Sequence, residues 1–155
     1  MVLIPDREDA SGQSYRPLGM DEQDGVPRVL RKFKEVASNQ GEVWKEKFEG
    51  ENLIGLQSQD GANITVEPGG QIELSDHPMD NLSQLEISIR NFVRNLKECS
   101  SIVNGRLMFL GAQPLHNLDE IPLSPKKRYR IMYRHMPEVG SLGQWMMKAL
   151  SLIHI

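Results

Sequence analysis

The sequence predicts an α+β domain, a partial antiparallel sheet with helices packed on one face. Three observations predict it. Residues 52–75 contain three short runs with apolar residues, separated by Asp60-Gly61 and by Pro68-Gly69-Gly70, both turn signals. Residues 26–38 carry apolar side chains at helical spacing just before that stretch. Residues 80–104 carry a longer stripe of the same kind just after it.

In chain order, Val2, Leu3 and Ile4 look like the end of a buried strand. Residues 5–25 read as loop, punctuated by Pro5, Gly12, Pro17, Gly19 and Gly25. The first helix follows: Pro27 suits its first turn, Val26, Leu30, Phe33 and Ala37 recur at helical spacing, and Gly41 ends it. Strands are expected at Asn52–Ser58, Asn63–Glu67 and Gln71–Ser75. The long helix runs from an Asp80 N-cap to Asn104, with Gly105 just beyond. Its stripe is Leu82, Leu85, Ile89, Phe92, Val93, Leu96, Ile102 and Val103. Arg106–Gln113 reads as a further buried strand. Residues 114–127 form a loop with Pro114, Pro122 and Pro125. Lys127–Met136 is a short helix stopped by Pro137, and residues 140–149 begin another element.

The chain has 155 residues, enough for one domain with a core. A hydrophobic fraction of 39% and a charged fraction of 25% are those of a soluble globular protein. The net charge of −3 supplies no global field for nucleic acid or an acidic membrane. No apolar run approaches the roughly 20 residues of a membrane span. A single cysteine, Cys99, rules out an internal disulfide and suits a reducing compartment, so a cytoplasmic protein is expected. Cys99 reads as a buried core thiol, and Met132, Met136, Met146 and Met147 as core filler. His77, His116 and His135 lack metal-ligand spacing. Leu150–Ile155, LSLIHI, can be encoded by a transposase end used in sequencing libraries. Residues 150–155 are therefore expected to be a non-native tail, with His154 no ligand, and residues 1–149 to belong to a single domain.

Chemistry concentrates in two places. In TVEPGGQIELS (65–75), alternation puts Ile64, Val66, Ile72 and Leu74 on one face. Glu67, Gln71 and Glu73 share the other. Like charges on one sheet face are destabilising unless a cation sits between them. Mg²⁺ takes one or two carboxylates plus substrate phosphates. The face is thus either a Mg-nucleotide platform or, as pattern alone more commonly means, a wet polar surface. The second place is PKKRYRIMYR (125–134), where Lys126, Lys127, Arg128, Arg130 and Arg134 interleave with Tyr129 and Tyr133. Such forks bind carboxylate or phosphate. A solvated basic helix face, or base stacking on single-stranded nucleic acid, reads from the same pattern.

Three segments resemble the plant and proteobacterial type of glutamate–cysteine ligase: VEPGGQIELS (66–75), FLGAQP…DEIPLSPKKRYRIM (109–132) and HMPEVGSLGQWMM (135–147). The resemblance runs from about Val26 to Ala149. It implies an ATP-dependent ligase that forms γ-glutamylcysteine through γ-glutamyl phosphate, on the glutathione route. It also implies a glutamine-synthetase-like cupped sheet, with ATP and Mg²⁺ as cofactors and glutamate and cysteine as substrates. Glu67 and Glu73 would be the catalytic, metal-side carboxylates and Gln71 would orient phosphate or metal water. Arg128 and Tyr129 would serve substrate recognition, and Arg130 or Arg134 phosphate or the glutamate carboxylate. The family's usual Gly is replaced by Lys127, its Leu-Asp by Gln144-Trp145 and its Lys by Glu138, and Leu123-Ser124 also departs, which marks a divergent branch. The family's Gly-x-Glu-x-Glu strand is expected upstream and its Thr-Val-Gln strand downstream, so the isolated chain is expected to be inactive. Rival readings are a ligase of the same fold using another amine, a non-catalytic binding module, and an RNA-binding fragment.

Overall fold

The computed structural model describes residues 2–5, 14–109, 115–140 and 143–144. Its central feature is a four-stranded antiparallel meander: β3 (Trp44–Glu49), β4 (Asn52–Ser58), β5 (Asn63–Val66) and β6 (Ile72–Ser75). Register places Lys47, Gly55, Thr65 and Glu73 in one row across the sheet. Glu46, Leu56, Ile64 and Leu74 form the neighbouring row. Adjacent rows face opposite sides of a sheet. The apolar row lies under helices, with Leu56 and Ile64 fully buried, and the other row stays polar.

The helical side is built by α1 (Val26–Asn39) and the C-terminal half of α2 (Leu82–Ser100). From α1, Val26, Val29, Leu30, Phe33, Val36 and Ala37 are buried, the spacing read from sequence. Gly41 takes φ +86 just past its end, a conformation that favours glycine. Phe33 is central: its ring meets Trp44 edge-on at 5.7 Å and Phe92 at 5.8 Å, joining α1, β3 and α2. Asn95, 2% exposed, exchanges two 3.2 Å hydrogen bonds with the amide of Gln40, so this buried polar group is satisfied.

Several expectations are corrected. Residues 5–25 are not all loop. Strand β2 (Tyr15–Pro17) pairs with β1 (Val2–Pro5), which pairs in turn with β7 (Arg106–Leu107) in a second antiparallel sheet. A strand of three residues ending in Pro has no periodicity to read. Strand β3 went unread as well, because its charged side chains and a bulge between Lys47 and Phe48 break the alternation. The cap of α2 is Asn81, whose side chain accepts the Gln84 N–H at 3.0 Å; Asp80 lies one residue too early. At the other end α2 gives way to a 3₁₀ turn (Ser101–Val103). Asn104, not Gly105, takes the left-handed conformation there, at φ +53. The start of the apolar stripe is exposed: Leu82 is 82% exposed, and Leu85 and Ile89 are uncovered too.

Helix α3 runs Lys127–Val139, through Pro137 rather than up to it. Proline deprives the Tyr133 carbonyl of its helical donor, and the Gln144 side-chain amide donates to that oxygen instead, at 3.0 Å. This return needs glycine at 143, where a Cβ would lie 2.5 Å from the Met136 carbonyl. Met132 is exposed and Met136 half-buried, so neither is core filler. Residues 110–114, most of the element expected at 140–149, including Met146 and Met147, and the tail 150–155 lie outside the described residues. Among the described residues no helix is long and apolar enough to cross a membrane.

Cys99 is fully buried, as expected, and burial pushes its thiol from 9.0 up to about 12. A raised acid pKa means that the folded state favours the neutral thiol. Its stabilisation is complete below the unfolded pKa and is lost as pH rises from 9.0 towards about 12. At 1.36 kcal/mol per pKa unit, up to about 4 kcal/mol is at stake. Denaturant midpoints measured from neutral pH to above this lower limit are expected to fall more steeply for the wild type than for Cys99→Ala.

Candidate functional site

The turn Glu67-Pro68-Gly69-Gly70 closes the β5–β6 hairpin. Gly70 N–H donates to the Glu67 carbonyl at 2.9 Å, and Glu67 N–H to the Gln71 carbonyl at 2.8 Å. Pro68 suits the second turn position, and Gly70 adopts φ +78. Glu67 and Gln71 are thereby held opposite each other. Two residue pairs further in, Thr65 stands opposite Glu73. The Thr65 hydroxyl donates to Glu67 Oε1 at 3.2 Å. Glu73 is exposed and accepts from Ser75 Oγ at 3.3 Å. The side-chain oxygen of Gln71 accepts the Gly69 N–H at 2.8 Å, which makes Gln71 a clamp on its own turn.

The start of α3 is brought to this turn by two backbone bonds. Ser124 N–H donates to the Pro68 carbonyl at 2.8 Å, and Lys127 N–H donates to Glu49 Oε1 at 2.7 Å. Glu49 therefore supplies the carboxylate that a helix N-terminus favours, where no side chain of α3 itself caps. With α3 anchored, Tyr129 reaches Glu67: its hydroxyl donates to Oε2 at 3.1 Å. Arg128 Nη2 donates to the same phenol oxygen at 2.8 Å, and Lys126 Nζ does so at 3.4 Å. Both cations also lie over the Tyr129 ring, Lys126 at 5.0 Å and Arg128 at 4.7 Å from its centroid.

These contacts shift the titrating groups in consistent directions. Burial raises the Tyr129 phenol, opposed by the hydrogen bond from Arg128, so it stays protonated and able to donate. The bond to Tyr129 raises Arg128 further. Burial lowers Lys126, with Glu67 pulling the other way. Ser124 Oγ is buried without a hydrogen-bond partner, the sole such side-chain atom among the described residues.

Of the residues read from sequence, Glu67, Glu73, Gln71, Arg128 and Tyr129 thus fall around one hairpin end. Arg130 and Arg134 are exposed on α3 and form no hydrogen bond or ion pair with this cluster among the described residues. Sequence reading missed Glu49, Thr65 and Lys126 as members. Glu49 lies on the unread strand, and Lys126 was one unremarkable cation in a basic run. No ligand is present. Hard carboxylate oxygens on one polar face fit a divalent cation, but among the described residues no three His, Cys, Asp or Glu side chains converge to hold one.

The hairpin thus ties one carboxylate, Glu67, to a tyrosine flanked by two cations, with a second carboxylate, Glu73, on the same polar face. Residues 10–155 match the model of glutamate-cysteine ligase family 2, and the chain belongs to that family. Among similar proteins are the chloroplastic glutamate–cysteine ligases of Nicotiana tabacum, 40% identical, Medicago truncatula, 39%, and Arabidopsis thaliana, 38%. Each match spans 104 residues, which is 67% of this chain and 20% of the relative. The chain thus spans about a fifth of the length of the relatives it matches. Their chloroplastic naming overturns the cytoplasmic expectation. The physical reason is that one unpaired cysteine speaks for a reducing compartment without telling which one.

Proposed function

We propose that the chain is part of an ATP-dependent glutamate–cysteine ligase of the plastid, acting in glutathione synthesis. The observation that supports the reading is the Thr65–Glu67–Tyr129–Arg128 chain of hydrogen bonds, which joins one acid of the hairpin to one cation at the start of α3. In this reading a glutamate γ-carboxylate oxygen attacks the γ-phosphorus of ATP and ADP leaves. The cysteine amine then attacks the acyl carbon, forming C–N as phosphate departs. Phosphoryl transfer needs positioning and charge neutralisation above all. Glu67 and Glu73 would hold Mg²⁺, which neutralises phosphate charge when bound. Tyr129 holds Glu67 in place, and Arg128 keeps N–H groups for an anionic substrate. A sheet of the glutamine-synthetase kind, of which the meander would be one part, belongs to the same proposal, as does the non-native origin of residues 150–155.

The test uses the longest reading frame that contains the chain. ADP release that requires both glutamate and cysteine, with γ-glutamylcysteine identified by mass, is the expected result. Release with glutamate and a different amine only would instead favour another carboxylate–amine ligase. No glutamate-dependent ADP at all would overturn the proposal. The chain by itself is expected to release none.

A further inference from the structure

We propose that Lys126 is a substrate contact, forming with Arg128 a two-cation clamp that takes an anionic oxygen, either a carboxylate of the amino acid or a phosphoryl oxygen of the nucleotide. The proposal rests on the ligase reading and adds a residue to its site. It starts from the hydrogen-bonding capacity of a phenol. Tyr129 has one O–H to donate and two lone pairs to accept with. The O–H goes to Glu67 at 3.1 Å, and the lone pairs receive Arg128 at 2.8 Å and Lys126 at 3.4 Å. The hydroxyl is therefore full, so Tyr129 is a positioning residue and the groups around it must meet the substrate.

Lys126 is the group with capacity to do so. An ammonium has three donors, and this one makes a single long bond. Its side chain is 5% exposed, so water does not solvate it freely. Among the described residues no carboxylate forms an ion pair with it, and the nearby Glu67 already accepts from Thr65 and Tyr129. A buried ammonium without a partner is costly unless an anion arrives to pair with it. Lysine serves as a point charge for phosphate and carboxylate alike. Ser124 Oγ, buried and unpartnered two residues earlier in the chain, is a further polar group left unsatisfied in this part of the molecule.

Lys126→Met keeps the length and removes the charge; Lys126→Arg keeps the charge. Both are made in the longest reading frame and assayed for glutamate- and cysteine-dependent ADP release. Lys126→Met is expected to raise one KM by at least about tenfold, the strength of a charged hydrogen bond, and Lys126→Arg to recover most of it. A rise in KM for ATP identifies a phosphoryl oxygen, and a rise in KM for glutamate a carboxylate. Both KM values staying within about twofold while the enzyme turns over overturn the proposal, whatever happens to the Tm, because that is the signature of a purely structural lysine. If the wild type releases no glutamate-dependent ADP, the ligase reading fails separately. Orthophosphate and glutamate, each titrated into the protein made from the longest reading frame and followed through the Tyr129 ring resonances, still decide the role of Lys126. Binding that weakens at least about tenfold in Lys126→Met supports it. No binding, or equal binding by both proteins, overturns it.

Discussion

Glu67→Gln in the proposed ligase that contains this segment is expected to lower turnover by about 100-fold, as expected where a metal site loses a carboxylate. The substitution preserves volume and leaves one oxygen for the Tyr129 hydroxyl to donate to, while the new amide N–H can donate to the Thr65 hydroxyl, which now bonds the other Glu67 oxygen. It also leaves the hairpin alone, because the turn is closed through the backbone N–H and C=O of residue 67. What disappears is the negative charge. Lys126 and Arg128 then lie near a neutral amide, and the metal site proposed for Glu67 would lose one hard anionic ligand. The expected signature is a collapse of ADP release with an unchanged thermal midpoint. Turnover close to that of the wild type would place Glu67 on a merely wet surface. Glu73, exposed and accepting a hydrogen bond from Ser75, is the partner to substitute next.

Phe33→Ala is expected to destabilise the chain by about 3–5 kcal/mol, enough to unfold much of a domain whose total stability is typically about 5–15 kcal/mol. Phe33 is 3% exposed and its ring contacts Trp44 on the sheet and Phe92 on the long helix. Truncation removes the buried ring, leaves a cavity where three elements meet, and forfeits two aromatic contacts of about 0.5–1.5 kcal/mol each. Leu82→Ala is the matched control. Leu82 belongs to an equally apolar helical stripe, yet it is 82% exposed, so its loss is expected to stay within about 0.5 kcal/mol. Urea midpoints read from the Trp44 environment measure both. Similar losses for the two variants would mean that α2 is packed along its whole length.

That pair of residues shows where sequence reading reaches its limit. Periodicity found both helical stripes, because 3.6-residue spacing is a local property. It could not tell that Phe92, Leu96 and Cys99 join the core beside α1 while Leu82, Leu85 and Ile89 stay exposed. Coverage depends on what lies opposite, and nothing along the chain encodes that locally. The same holds for Pro137. A proline ends an isolated helix, but here the amide of Gln144 returns to the orphaned carbonyl and the helix continues.

The sequence by itself determined the meander of residues 52–75, down to the faces of Ile64, Val66, Glu67 and Glu73, since alternation and turn chemistry are set by neighbours in the chain. It also determined the family, because the motif segments stand in the family's order. Tertiary structure alone decided which cations meet the acids. Arg128, Arg130 and Arg134 are alike in sequence. Only docking of the helix start, through Ser124 on Pro68 and Lys127 on Glu49, brings Lys126, Arg128 and Tyr129 to Glu67 and leaves the other two in solvent. The physical reason is distance along the chain. Glu67 and Tyr129 are 62 residues apart, and a contact of that span is selected by packing rather than by any local preference of either residue.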